Sequence, residues 1–193
     1  MIKAVAFNGS PREGGNTEFL LKLVLEELER EKINTELLHI GAKSIRGCIA
    51  CMKCRQSKMP KCAIESDDLN FYLRKAIESD IILIGSPTYF ADVSSETKAL
   101  IDRIGFVTRG GGSLLKGKIG AAVIAVRRAG SIHAFDTINH FFLISGMIVV
   151  GSTYWNLGIG REKGEVKQDN EGVDNMKDLG CQIAKIAKRL KSN

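Results

Sequence analysis

Cys48, Cys51, Cys54 and Cys62 follow one another as Cys-x2-Cys-x2-Cys-x7-Cys, which puts four soft sulfur donors into one short stretch of chain. Three cysteines at successive intervals of three let a single tight loop offer thiolates to several iron atoms of one polynuclear centre. A lone zinc ion is more often held by two Cys-x2-Cys knuckles set well apart, so the compact spacing suits zinc less well. Reactive thiols without any metal are the other reading of the same residues. Lys53, Arg55, Lys58 and Lys61 surround the run, and positive charge there would favour the reduced, more negative form of a bound cluster.

A second concentration of chemistry lies near the N-terminus, in Asn8-Gly9-Ser10-Pro11-Arg12-Glu13-Gly14-Gly15-Asn16-Thr17. A short apolar run precedes it and an amphipathic pattern follows, the strand–loop–helix order of a phosphate cradle. Glycines let the backbone approach a ligand, and a helix N-terminus offers amides without intrahelical partners. Ser10, Asn16 and Thr17 add donors, and Arg12 adds a full positive charge. No lysine follows Gly14 or Gly15, so this is not a nucleoside-triphosphate loop, and the Gly-x-Gly-x2-Gly dinucleotide fingerprint is absent here.

The elements that must hold these residues alternate between strand and helix. Residues 2–7, 34–40, 81–84, 118–126 and 147–150 read as strands. Helical periodicity falls at about 17–31, 68–78, 95–105 and 132–145. Leu20, Leu23, Val24 and Leu28 share one face of the first helix. Ser66-Asp67-Asp68 puts capping and negative charge at the start of the second. Val173, Met176, Leu179, Ile183, Ile186 and Leu190 recur every three or four residues, which predicts a terminal amphipathic helix. This pattern predicts an α/β fold: a flavodoxin-like, doubly wound sheet of five parallel strands with helices on both faces. Residues 1–193 read as a single flavodoxin-like domain carrying a cysteine-rich loop at 46–63. Ligands of such folds sit beyond the carboxyl ends of the strands, so the segments after Phe7, Ile84 and Val126 should meet. Tyr154 to Gly172, polar and rich in glycine, reads as a loop-like excursion long enough to be functional.

Composition narrows the function. With 44% hydrophobic and 26% charged residues the chain can build its own core, so the cysteines are not needed as structural staples. No secretory pattern and no apolar run of membrane-spanning length appear, so a reducing cytoplasmic location and no membrane partner are expected. The formal charge of +6 invites a nucleic-acid reading, but aromatics are only 6% and no recognition signature is present, so none is expected. A solvated surface is the plainer reading of the scattered charge, and a basic patch that meets an acidic electron carrier is the second. Cys181 reads as a small buried apolar side chain, and His39, His133 and His140 show no ligand spacing.

Gly9-Ser10-Pro11-Arg12 with Asn16-Thr17 resembles the FMN phosphate loop of the NAD(P)H-dependent FMN reductase family. Gly85-Ser86-Pro87-Thr88-Tyr89-Phe90 is similar to that family's second flavin loop, and Lys98-Ala99-Leu100-Ile101-Asp102-Arg103 to the helix after it. The likeness implies FMN held by Ser10, Arg12, Gly15, Asn16 and Thr17, with Pro87, Thr88, Tyr89 and Phe90 lining the isoalloxazine ring. Gly130 and Ser131 contribute from a third loop, although Arg127-Arg128-Ala129-Gly130 departs from the glycine-rich turn usual there. Together with the cysteine run, the chain resembles the iron-sulfur flavoproteins of anaerobes. That resemblance implies a 4Fe-4S cluster on Cys48, Cys51, Cys54 and Cys62, electron transfer from a donor such as ferredoxin or NAD(P)H, and a homodimer or homotetramer. A cluster-free NAD(P)H-dependent FMN or quinone reductase and a zinc-bearing binding module are the alternatives.

Overall fold

In the computed structural model, which describes residues 1–57 and 59–191, a parallel sheet runs through the middle of the molecule. Its strands are β1 (Lys3–Asn8), β2 (Asn34–His39), β3 (Ile81–Pro87), β4 (Ile119–Val126), β5 (Ile148–Val149) and β6 (Leu157–Ile159). The order β2-β1-β3-β4-β5 reverses direction of growth at β1, the flavodoxin-like arrangement. β5 and β6 share the last position: β5 pairs with β4 at Ile119 and Gly120, and β6 pairs with it at Ile124, Ala125 and Val126.

The helices are α1 (Asn16–Arg30), the short α2 (Lys53–Gln56), α3 (Leu69–Glu78), α4 (Ser95–Gly110), α5 (Ser131–Ile144) and α6 (Asn170–Lys191). Side chains alternate across each central strand, so the sheet builds two cores. Ala4, Ala6, Ile81, Leu83, Ala121 and Val123 pack under α1 and α6. Val5, Phe7, Ile82, Ile84, Ala122 and Ile124 pack under α3, α4 and α5. Such strands are buried on both faces, which is why they read as continuous apolar runs.

Two expectations are corrected here. The stretch from Tyr154 to Gly172 is not an irregular excursion: it contains β6, a 3-10 turn at Glu165–Gln168 and the first turn of α6. Backbone bonds from Ile124 N–H to Asn156 O (3.0 Å) and from Gly160 N–H to Val126 O (2.8 Å) stitch it to β4. Leu190, counted in the apolar stripe, is exposed, whereas Gly172, Gly180, Ala184 and Ala187 are buried along α6 and let it approach closely. Among the described residues no helix is long and apolar enough to cross a membrane.

Candidate functional site

At the carboxyl end of the sheet, the loop after β1 turns into α1. Gly14 holds φ +62°, a backbone conformation open to glycine at little strain. The first bond within α1 runs from Phe19 N–H to Gly15 O (3.1 Å), so the amides of residues 16–18 precede the helical ladder. Glu18 accepts from Gly14 N–H at 2.7 Å and pairs with Lys22. Its carboxyl group lies below the ordinary range: burial acts to raise it, and the bonds from Lys22 and Gly14 outweigh that. Ser10 Oγ accepts from Arg12 N–H (3.2 Å), Ser10 N–H donates to Asn8 Oδ1 (3.0 Å), and His39 Nε2 lies 2.7 Å from Ser10 O. His39, given no chemical role by its spacing, thus braces the loop.

A cleft of about 290 Å³ opens over this loop. Ser10, Arg12, Asn16 and Thr17 line it together with Pro87, Thr88 and Tyr89. Thr88 is fixed by bonds from its N–H and Oγ1 to Ala125 O, at 2.9 and 3.3 Å. Gly15, Phe90, Gly130 and Ser131 are not in the lining. Phe90 stands fully exposed on the turn closed by reciprocal Tyr89–Asp92 backbone bonds, in which Phe90 and Ala91 take φ of 48° and 64°. Gly130 packs under that turn, where an added Cβ would come within 2.9 Å of Ala91 Cα. Ser131 is buried at the start of α5.

Arg127, Gly160, Arg161 and Lys163 complete the cleft. The last three were not singled out from sequence, although they lie in the segment flagged as functional by its length. What brings them in is Asn16. Its Nδ2 donates to Gly160 O and Glu162 O, both at 3.0 Å, and its Oδ1 accepts from Gly164 N–H at 2.8 Å. The carboxamide therefore latches residues 160–164 over the loop, and Arg12 adds a 3.3 Å bond to Arg161 O.

The cysteine loop forms a second, separate site. Cys48, Cys51, Cys54 and Cys62 all line one small cavity, whose other walls are Ile49, Ala50, Met52, Ile64, Phe106 and Val107 with Arg103. Ala50 and Met52 both take positive φ, 52° and 59°, so the chain turns sharply on either side of Cys51. Ala50 N–H points at Cys48 Sγ, 3.4 Å away. Burial raises the Cys54 thiol, and the neighbouring Cys62, Cys51 and Cys48 push it further in the same direction. Among the described residues no three His, Cys, Asp or Glu side chains are gathered as a site for a metal ion.

Of the cations around this loop, Arg55 lies over the Phe106 ring at 5.4 Å and Lys61 is paired with Glu65 at 2.8 Å. Lys53 is exposed, and Lys58 lies outside the described residues. Among the described residues, the cation hydrogen-bonded to a cysteine of this loop is one whose role sequence reasoning missed, Arg103, fully buried on α4. Its position in step with Leu100, Ile104 and Val107 was the available signal, since a charge in a buried stripe has to be partnered. Cys181 is half-buried rather than core, with Sγ 3.9 Å from Glu27 Oε2 on α1. His133 is exposed 3.6 Å from Asp92, and His140 is exposed on α5.

Comparison with known proteins adds three findings. The sequence profile of the family described as NADPH-dependent FMN reductase matches residues 2–162. An iron-sulfur flavoprotein of Methanocaldococcus jannaschii is 36% identical, over 98% of this chain and 100% of its own length. Among solved structures, RosB with a bound riboflavin-5'-phosphate intermediate superposes with a TM-score of 0.79 at 17% identity, covering 100% of this chain and 81% of that one. A flavodoxin from the domain Archaea gives 0.62 at 17% identity, covering 97% and 99%. At that identity the structural likeness establishes the fold.

Proposed function

The chain belongs to the NADPH-dependent FMN reductase family, among its iron-sulfur flavoproteins, and is thus a flavin-dependent oxidoreductase; from that premise we propose that it carries FMN in the cleft and a 4Fe-4S cluster on Cys48, Cys51, Cys54 and Cys62. The cofactors pass electrons from a donor such as ferredoxin or NAD(P)H to an acceptor.

One observation carries the FMN assignment: a single cleft gathers Ser10, Arg12 and Thr17 beside the N-terminus of α1 together with Pro87, Thr88 and Tyr89 from the end of β3. Phosphate suits the first group, where helix amides and a guanidinium meet. Thr17 is buried, and Gly15 leaves no room for a side chain, since an added Cβ would stand 2.9 Å from Arg12 O. The ring suits the second group, with Tyr89 offering an aromatic face. Phe90, Gly130 and Ser131 support from outside the lining, as the turn and its underlay. When bound, FMN supplies the exchange between two-electron and one-electron transfers. The chain's own work is to hold and orient the ring, and to surround it with the positive charge of Arg127, Arg161 and Lys163.

The cluster assignment is supported by four thiols sharing one apolar-walled cavity, with N–H donors already directed at Cys48 and Cys62. Thiolates ligating iron accept such bonds well. The cluster supplies single-electron storage, and the loop's part is to hold four sulfurs against α4. A reducing cytoplasm suits cysteines kept as thiols.

Purification without oxygen, followed by a visible spectrum and assay of FMN, iron, acid-labile sulfide and zinc, tests the assignment. About one FMN and about four irons and sulfides per chain are expected. FMN alone would leave a cluster-free reductase, and zinc without flavin would leave a binding module.

A further inference from the structure

Arg103 uses its guanidinium in an unusual way. Nη1 donates to Arg46 O at 3.0 Å and to the Asp67 carboxylate; Nη2 donates to Ile64 O and to Cys62 Sγ, each at 3.3 Å. Arg46, Ile64 and Asp67 lie on the two flanks of the cysteine run, so one side chain of α4 fastens both ends of the loop. A tie of that kind needs carbonyls and a counter-charge, but it does not need sulfur. A neutral thiol is a weak acceptor, whereas a thiolate beside a guanidinium is a strong one. Cys62 is also the buried member of the four.

A second observation stands apart from the first. Arg103 Nε–H is buried with no partner among the described residues, on a side chain that lines the cavity shared by the four cysteines. Buried donors are nearly always satisfied, and an orphan points to an acceptor that the polypeptide does not supply. A sulfur of an iron–sulfur cluster is such an acceptor.

We propose that Arg103 is the positioning residue of the cysteine site, anchoring the loop to α4 and donating to the Cys62 thiolate and to a cluster sulfur. This rests on the reading that the four cysteines hold a 4Fe-4S cluster. Reduction adds negative charge to the cluster, and a cation with N–H donors against its sulfurs stabilises that state, so Arg103 raises the reduction potential. Asp67, its counter-ion, opposes the effect.

The holoprotein and three variants decide it, each purified without oxygen, with FMN, iron and sulfide measured and the cluster potential read by EPR-monitored titration. Arg103→Gln is expected to shift the cluster midpoint to more negative potential. Arg103→Lys, which keeps the charge but reaches fewer acceptors, should fall between it and the parent. Asp67→Asn leaves Arg103 without its opposing carboxylate and should shift the midpoint the other way. The FMN midpoint stays in place throughout. If an Arg103 variant sheds iron while keeping FMN, the anchoring role is supported and Asp67→Asn still reads the sign. Unmoved cluster potentials at full iron content, or a negative shift in Asp67→Asn, overturn the assignment. A parent protein with FMN but neither iron nor sulfide overturns the cluster reading itself, and this assignment with it, before any variant is compared.

Discussion

Asn16 shows how one side chain of a binding cleft can also fix a distant segment of the chain over it. Its carboxamide closes three hydrogen bonds onto residues 160–164, a segment 144 to 148 positions further along the chain. Each such bond is worth about 0.5–1.5 kcal/mol net, so Asn16→Ala should lower the stability of the flavin-free protein by about 2 kcal/mol. It should also weaken FMN binding, because Gly160, Arg161 and Lys163 lose their hold over the cleft. Arg12→Ala should separate from it cleanly. Removing a charge-assisted bond to phosphate costs about 1.5–3 kcal/mol, roughly 10- to 100-fold in Kd, while an exposed side chain adds little to the fold. Flavin-fluorescence titration and thermal melts of the flavin-free protein check both. Asn16→Ala should move both readouts, and Arg12→Ala the Kd alone. An Arg12→Ala Kd equal to that of the parent would remove Arg12 from the phosphate site.

Among the elements, the fifth strand position carries the main structural departure from what the residues announced. Met147 to Val150 was legible as a strand, and Ile148–Val149 pairs where expected. β6 was not, because Leu157-Gly158-Ile159 is three residues long, contains a glycine and shows no period. Its place is fixed by tertiary contact with the end of β4 and by Asp169. That carboxylate accepts from Ile159 N–H at 2.7 Å with one oxygen and from Gly172 N–H at 3.0 Å with the other, joining the strand to the cap of α6. Sequence patterning reads a helix's apolar stripe well, as α1 and most of α6 show. It reads poorly any residue whose partner lies far along the chain, which is why Arg103, Arg161 and Lys163 went without a role. Asp169→Ala removes an N-cap and a strand tie together. A cap alone is worth about 0.5–2 kcal/mol, so a loss near 2 kcal/mol and a Tm lower by several degrees is expected in calorimetry. Asp169→Asn should recover part of it.

Across the whole molecule, apolar surface is uneven in a way that bears on assembly. Each face of the sheet is closed by helices, yet among the described residues the outer side of the α4–α5 pair is covered only in part, by Arg55 of α2 over Phe106. Leu143 and Ile144 are 61% and 60% exposed at the end of α5. A surface hollow beside them is lined by Ile101, Phe106, Phe141 and Ile144. Scattered exposed apolar residues are ordinary, but a patch joined to an apolar hollow and edged by Lys98, Asp102 and Arg109 has the layout of an interface core with a polar rim. A homodimer or homotetramer, the assembly that the resemblance to iron-sulfur flavoproteins implies, would bury this patch, with anchors of one copy seated in the hollow of another. Leu143→Glu with Ile144→Glu should then shift the sedimentation coefficient from oligomer to monomer at micromolar concentration. Because both residues lie outside the cleft and the cysteine cavity, FMN per chain should stay unchanged. A parent protein that sediments as a monomer would remove the interface altogether, and a double variant that keeps its oligomeric state would move it off this face, with the exposed aromatics Tyr154 and Trp155 as another apolar surface on which it could lie.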